Sequence, residues 1–475
     1  MSLASLDIHS SMGPDGLHPC LLKSCPGLAV PLHLIFRQSL LQVCCKTLER
    51  IIAKNLYEFL ESNQILSADQ FGFRQGRTVD DQLLLVYDDV TSWLDSGCVV
   101  DVVLFDFSKA FDVVCHTILI DKLRHIGVGG RLLDWISDFL TDRTMRVSVS
   151  GVFSASRPVL SGVPQGSVLG PLLFLIYVNH IPSYIRSKCK FFADDLKLYM
   201  KIRHNATHPL AVDLSSLQKD IDNISRVAAS WGLNFNPNKC VVIRCQRGSV
   251  DWTAVGSLQH YHLDNSDLSL ADNHRDLGIL VDNTLKFHTH IRATVNKAAG
   301  LANNLLKPTL CRSSDFMVTI LKSHIRPILE FGSTVWNTGY LGDLRLLESV
   351  QRRWTKHIDG LADLSYTNRL KALNLYSVQG RLLRADIKCW KIFHKQSVIS
   401  PSDLFSVSPV TATRGHRFKL AKPHIYTECR RRFFSVRCID HWNFLPDSVV
   451  GANTIETFKQ GLHLSLGELL FAHTE

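Results

Sequence analysis

Two adjacent carboxylates, Asp194 and Asp195, stand in a run that is otherwise mostly apolar and aromatic, Lys190-Phe191-Phe192-Ala193-Asp194-Asp195-Leu196-Lys197-Leu198-Tyr199. Like charges side by side in a half-buried setting repel and lose hydration, so the pair calls for a cation or for a turn that admits water. Neighbouring side chains on a strand point to opposite faces. Both acids can therefore face one site only at a bend, and the apolar sequence on each side predicts a hairpin with the acids at its tip. A third carboxylate, Asp106, follows the hydrophobic run Val102-Val103-Leu104-Phe105 and leads into Ser108-Lys109-Ala110-Phe111-Asp112, which puts it at a strand end. Two strands ending side by side would bring Asp106 against Asp194. Three acids on two strands form the donor set of two-metal phosphoryl transfer, in which cations about 4 Å apart activate a hydroxyl and stabilise charge at phosphorus. Mg2+ suits such hard oxygen ligands and leaves positions open for substrate phosphates, with Mn2+ as a substitute. A solvated Asp-Asp turn fits the same residues, and spacing alone does not establish convergence.

The elements that must position these acids are legible as changes of periodicity. Residues 46–65 and 82–94 carry apolar positions at helical spacing, on either side of a loop containing Gly and Arg. Residues 99–107 are rich in strand formers, whereas 118–126 and 132–140 read as helices. Residues 147–163 read as a hairpin with its turn near Ser150-Gly151, and 169–178 as a buried helix. Helices dominate from about residue 291, and 396–413, rich in Ser, Val, Pro and Thr, reads as a linker.

Composition sets outer bounds. A chain of 475 residues with 45% hydrophobic content is long enough for two or three domains with real cores and is no disordered tail. Its net charge of +10 is compatible with a polyanionic partner without requiring one. Thirteen cysteines without a Cys-x-x-Cys pair point to neither a zinc ribbon nor a disulfide framework, and fit a reducing compartment. The longest apolar stretch, residues 171–178, is too short to cross a bilayer, and the first residues lack the pattern of a signal peptide. The expectation is a soluble intracellular protein with no membrane partner, nuclear or cytoplasmic.

Three ordered motifs carry a resemblance. These are Leu104-Phe105-Asp106-Phe107-Ser108-Lys109-Ala110-Phe111-Asp112, then Ser161-Gly162-Val163-Pro164-Gln165-Gly166-Ser167-Val168-Leu169-Gly170-Pro171, then Phe192-Ala193-Asp194-Asp195. In order and spacing they resemble the A, B and C motifs of reverse transcriptases of non-LTR (LINE-type) retrotransposons, above all the jockey-like branch. The likeness runs nearly end to end. It takes in Gly13-Pro14-Asp15-Gly16, Gln70-Phe71-Gly72-Phe73-Arg74-Gln75-Gly76-Arg77-Thr78, Trp231-Gly232-Leu233-Asn234-Phe235-Asn236-Pro237-Asn238-Lys239-Cys240 and Leu277-Gly278-Ile279-Leu280-Val281-Asp282. Arg326-Pro327-Ile328-Leu329-Glu330-Phe331-Gly332 and Val335-Trp336-Asn337 continue it.

The resemblance implies roles. Asp106, Asp194 and Asp195 would hold Mg2+, Lys239 would neutralise or protonate departing pyrophosphate, and Phe107 and Phe111 would lie at the nucleotide, the Phe111 ring crowding the sugar 2′ carbon. Gln165 and Gly166 would lie under nucleotide and template, since a Pro-Gln-Gly turn lets backbone approach closely. Arg74 and Arg77 would contact template or triphosphate, Arg gripping phosphate through paired donors. Residues 411–438 hold eight Lys or Arg against one Glu, with Phe418, Tyr426, Phe433 and Phe434 interleaved, a composition that suits an RNA strand at Arg430, Arg431 and Arg432. A basic face packed on its own domain explains that pattern too.

Two departures accompany the match. The chain starts a few residues before Gly13, so it corresponds to the polymerase part of such an element, and target cleavage would fall to a separate endonuclease partner. Between Leu40 and Cys45 the family's Trp-Lys strand, basic hairpin and Asn-Tyr-Arg-Pro-Ile-Ser segment are missing, which puts the activity in doubt because phosphoryl transfer depends on positioning. The expected architecture is α+β, a right-hand polymerase: truncated fingers to residue 100, a palm with an antiparallel sheet over 101–245, a primer-grip strand and helical thumb over 246–365, and a basic helical region over 366–475. The expected reaction joins dNTPs to a DNA primer on an RNA template. The alternative is a degenerate or repurposed element copy that binds RNA without copying it.

Overall fold

The computed structural model describes residues 29–203, 209–253, 255–256, 260–383, 386–408 and 416–473. The Gly13-Pro14-Asp15-Gly16 motif and residues 411–415 of the basic stretch lie outside the described residues. The chain forms two compact units, Met1–Leu66 with Phe111–Val178, and Ser67–Ala110 with Asn179–Glu475.

In the first unit, α1 (Ala29–Ser62) runs unbroken through Leu40–Cys45, so the helix read over 46–65 begins before that junction. The second unit opens with α2 (Val79–Asp95), whose capping box pairs the Thr78 hydroxyl with the Asp81 N–H and the Asp81 carboxylate with the Thr78 N–H. It leads into β1 (Val99–Phe105), all seven residues of which are buried. The chain then returns to the first unit with α3 (His116–His125) and α4 (Gly130–Leu140). A ribbon follows, made of β2 (Thr144–Met145), β3 (Ser148–Val149), β4 (Val152–Phe153) and β5 (Arg157–Pro158), with β3 paired to β4 and β2 to β5. Its turn is Ser150-Gly151, as expected, with φ of 50° and 81°. The buried helix α5 (Gly170–Val178) closes that unit.

The second unit resumes with β6 (Lys188–Phe192) and β7 (Asp195–Ile202), then α6 (Leu210–Ser230) and β8 (Val241–Cys245). The short strands β9 (His262–Leu263), β10 (Ser266–Asp267) and β11 (Ser269–Leu270) precede a hairpin of β12 (Asn273–Asp276) and β13 (Ile279–Asp282), and α7 (His288–Leu306) begins the helical remainder. The main sheet has the order β11-β8-β1-β7-β6, with β1 antiparallel to both β7 and β8. Its central strand β1 reads as a near-continuous apolar run because both faces are covered, the Tyr199 face by the core that includes α2 and the other by α6. The exception inside β1 is Asp101, fully buried and opposite Arg244 on β8; the guanidinium donates two bonds of 2.8 and 2.7 Å, and Tyr261 adds one of 2.6 Å. Both oxygens of that acid have donors, one of them two, which is the condition for tolerating a charge in a sheet.

The stretch read as a linker is not one over its described part. Ser400 and Asp403 cap the helix Pro401–Leu404, and Ile399, Leu404 and Phe405 are buried, because these apolar side chains complete the core of the C-terminal helices. Among the described residues no helix is long and apolar enough to cross a membrane.

Candidate active site

The acids sit where the sequence puts them, at strand ends of one sheet. β6 and β7 form a hairpin closed at the pair Phe192↔Asp195, so Ala193 and Asp194 are its two-residue turn and Asp195 opens the returning strand. Ala193 takes a φ of 60°, a region that L side chains rarely adopt. β1 ends at Phe105, opposite Leu196, which delivers Asp106 to the same end of the sheet. The Asn234-Phe235-Asn236 segment is fastened to the backbone around Asp106: Asn236 N–H donates to Asp106 O at 2.8 Å and Ser108 N–H to Asn234 O at 2.8 Å. That fastening brings Lys239 to Asp106, with Nζ 3.4 Å from Oδ2.

Asp106, Asp195, Lys197, Asn238, Lys239, His274, Arg275 and Asp276 line one cavity of about 560 Å3. Its lining sets three acids, Asp106, Asp195 and Asp276, beside Lys197, Lys239 and Arg275. Burial raises the Asp194 carboxyl above the usual range, and the Asp106 charge raises it further. Asp195 is reached by water, yet the strands behind it withhold hydration, and burial with the Asp194 charge pushes it up to about 6 against the pull of Lys197. Lys197, two residues along β7 on the same face as Asp195, is almost wholly buried and reaches the Asp276 carboxylate at 2.5 Å; Tyr87 donates to the other oxygen of Asp276 at 2.7 Å. Among the described residues no three His, Cys, Asp or Glu side chains come close enough together to hold a metal ion. Asp106, Asp194 and Asp195 sense one another's charge without closing into a three-ligand cluster. Their mutual repulsion, with the hard oxygen donors of Asp106 and Asp195 lining the cavity and Asp194 beside them in the turn, fits a divalent cation.

In the first unit, the loop of the second motif is fastened to the segment after the first. Val163 N–H donates to Phe111 O and Gly162 N–H to Val114 O, both at 2.8 Å. Gly162 has a φ of 90°, and a Cβ there would stand 2.7 Å from Asp112 O. Gln165 is exposed and its Nε2 donates to Asp112 Oδ1 at 2.9 Å; Gly166 is exposed with a φ of 77°. Phe111 stacks on Phe174 with centroids 4.4 Å apart.

Several expected contacts are corrected. Phe107 has its ring buried and stacked on Phe235 at 4.3 Å, and its backbone bridges to Phe235. Arg74 is buried, its guanidinium donating to Ser67 O and Gln70 O, so it staples its own loop. Arg77 donates to Ala68 O and Gln70 O and covers the Phe71 ring. Arg430 turns inward to the Asp88 carboxylate on α2 at 2.7 Å. Phe433 and Phe434 are core residues, whereas Tyr426 is exposed. Arg431 pairs with Glu428 at 2.8 Å and is 59% exposed; Arg432 shares Glu428 and stacks on Tyr340. Arg430 and Arg432 thus pack on their own unit, whereas Arg417, Lys422 and Arg431 stay exposed.

Sequence reading assigned no role to Lys197, Asp276 or Gln70. Lys197 had a signal, a lysine in an apolar strand at the same parity as Asp195; Gln70 had none beyond membership of a motif, and Asp276 had none.

Comparison with known proteins bears on this geometry. Residues 36–264 match the family described as reverse transcriptase (RNA-dependent DNA polymerase). The chain is 27% identical over 337 residues to the RNA-directed DNA polymerase from mobile element jockey of Drosophila melanogaster, covering 68% of this chain and 35% of that one. It is 27% identical over 366 residues to the probable RNA-directed DNA polymerase from transposon BS of the same organism, covering 73% and 38%. It therefore spans little more than a third of the length of these curated relatives. Among solved structures, telomerase from Candida albicans in complex with a TWJ fragment of telomeric RNA aligns with a TM-score of 0.37 at 12% identity, over 70% of this chain and 58% of that one.

Proposed function

From the reverse transcriptase domain that occupies residues 36–264, related to those of jockey, BS and X-element non-LTR retrotransposons, we propose that this chain is an RNA-directed DNA polymerase that adds dNTPs to a primer 3′-hydroxyl on an RNA template. The observation that carries the reading is the hairpin tip: Asp194 and Asp195 lie at the same sheet end as Asp106 and are held in each other's electrostatic field.

Asp106 and Asp194, with Asp195 beside them, would hold the divalent cations that reverse transcriptases use, Mg2+ first and Mn2+ as a substitute, which supply Lewis-acid stabilisation of charge at phosphorus. Lys239 keeps a positive charge at Asp106 on the solvent side, where it would meet the leaving pyrophosphate. Lys197 pairs with Asp276 and offsets part of the repulsion on Asp195. Phe111, Gln165 and Gly166 are the residues we assign to the incoming dNTP, on resemblance; Arg431, exposed, is the arginine assigned to nucleic acid.

Primer extension on an RNA template with dNTPs and Mg2+ tests the reading. We expect extension by the chain and none by Asp194→Ala, with equal RNA retention. RNA retained by both without extension by either would overturn it in favour of a binding protein.

A further inference from the structure

The turn that carries the acids is gripped by a side chain from outside the catalytic motifs. We propose that Gln70 is a positioning residue for cation binding, holding the Ala193-Asp194 turn in its strained backbone form; this rests on the polymerase reading above.

Gln70 is 4% exposed. Its Oε1 accepts from Ala193 N–H at 3.0 Å and from Gly72 N–H at 2.8 Å, and its Nε2 donates to Ala193 O at 3.2 Å. Two N–H donors on one end of the carboxamide and a carbonyl on the other fix which end is oxygen. One side chain thus satisfies both polar backbone groups of the residue before Asp194. The loop that carries Gln70 is laid along β6: Phe71 N–H donates to Phe191 O and Phe191 N–H to Asp69 O, each at 2.8 Å. It lies against the turn so closely that a Cβ on Gly72 would stand 2.1 Å from Ala193 N, so only glycine fits. Arg74 and Arg77, which donate to carbonyls of residues 67–70, brace the same loop.

The clasp has a physical task. A non-glycine residue at a φ of 60° is strained and persists only where its surroundings over-determine it. In a two-residue turn the direction of the Asp194 carboxylate follows from the dihedrals of Ala193. Releasing Ala193 would let Asp194 swing, and displacement of a ligand by about 1 Å is enough to cost about 100-fold in a reaction that depends on positioning. Gln has the length and both functions needed; Asn is one carbon short, and Met has the length without the hydrogen bonds.

The test uses the full chain with Gln70→Met, Gln70→Asn and Asp194→Ala, and reads Mn2+ binding by electron paramagnetic resonance, metal-dependent primer extension, RNA affinity, and thermal unfolding in chelator. We expect Mn2+ affinity and extension to fall about 10–100-fold in Gln70→Met, as for other groups that orient metal ligands. Half-maximal extension should need correspondingly more metal, and RNA affinity should be unchanged. Gln70→Asn should shift the same way by less, and carries the test should the Met chain not fold. Mn2+ affinity and metal dependence within about two-fold of the parent, however stability moves, would overturn the inference and leave Gln70 as packing. Wild-type extension abolished by Asp194→Ala, beside an unaltered Gln70→Met, defeats the inference alone. Absence of both Mn2+ binding and extension in the wild type defeats the polymerase reading and the inference together.

Discussion

Two of the hairpins that close with two-residue turns have different fates. The turn between β6 and β7 is Ala193-Asp194, and that between β3 and β4 is Ser150-Gly151. The second is the better local design: both residues take positive φ, one is glycine, and such a turn matches the twist of its strands. The first puts alanine at positive φ and follows it with two acids. Yet the first lies within a five-stranded sheet with core on both faces, whereas every residue of 141–158 is exposed, Val147, Val149, Val152 and Phe153 included. An isolated two-stranded ribbon is marginal in water. Local turn chemistry makes a hairpin, and only tertiary support lets a hairpin hold a poor turn with unfavourable charges in one geometry.

The sharpest break of this contrast is at the two tips. Asp194→Ala should lower the extension rate by at least about 10³-fold, and Ser150→Ala by less than about two-fold, in the same primer-extension assay. Next come the charges behind each hairpin. Lys197→Met leaves Asp276 buried without its cation and should cost about 3 kcal/mol in urea unfolding, whereas Arg146→Ala on the ribbon should stay within about 0.5 kcal/mol. Gly151→Ala, at a φ of 81°, should loosen the ribbon by about 1 kcal/mol, read as faster amide exchange confined to residues 144–158 with the global unfolding midpoint unmoved.

The smallest effect concerns pH. The Asp195 carboxyl is raised to about 6 in the fold, so its protonated form favours folding. That contribution is present below the unfolded carboxyl's value and is lost as pH rises through about 6. Asp195→Asn cannot lose it. In chelator its Tm should therefore exceed the parent's by about 1–2 °C at pH 7 and converge with it toward pH 4, a small shift because water reaches the group.

The ribbon's turn, the strand before Asp106, the acid hairpin and the main helices were legible because periodicity, turn residues and charge against an apolar background are local properties. The arginines show where legibility stopped. Arg74, Arg77, Arg430 and Arg431 look alike in sequence, but the first bonds its own loop, the second covers Phe71, the third meets Asp88, and the fourth is mostly open to water. A guanidinium binds a backbone carbonyl, an aromatic ring, a carboxylate or a phosphate with similar ease, so its partner depends on what folding brings near. Phe107 and Phe111 diverge for the same reason: Phe107 sits in the core on Phe235, Phe111 stays half-buried on Phe174.

By itself the sequence determined which residues could do chemistry and pointed to two acids at a hairpin tip and a third at a strand end, since both follow from residue type and short-range pattern. The tertiary structure alone decided that Lys239 lies on Asp106, that Lys197 and Asp276 form a buried pair beside Asp195, and that Gln70 grips Ala193. Each of these joins segments far apart in the chain, and such contacts are set by the packing of the whole sheet rather than by any stretch of it.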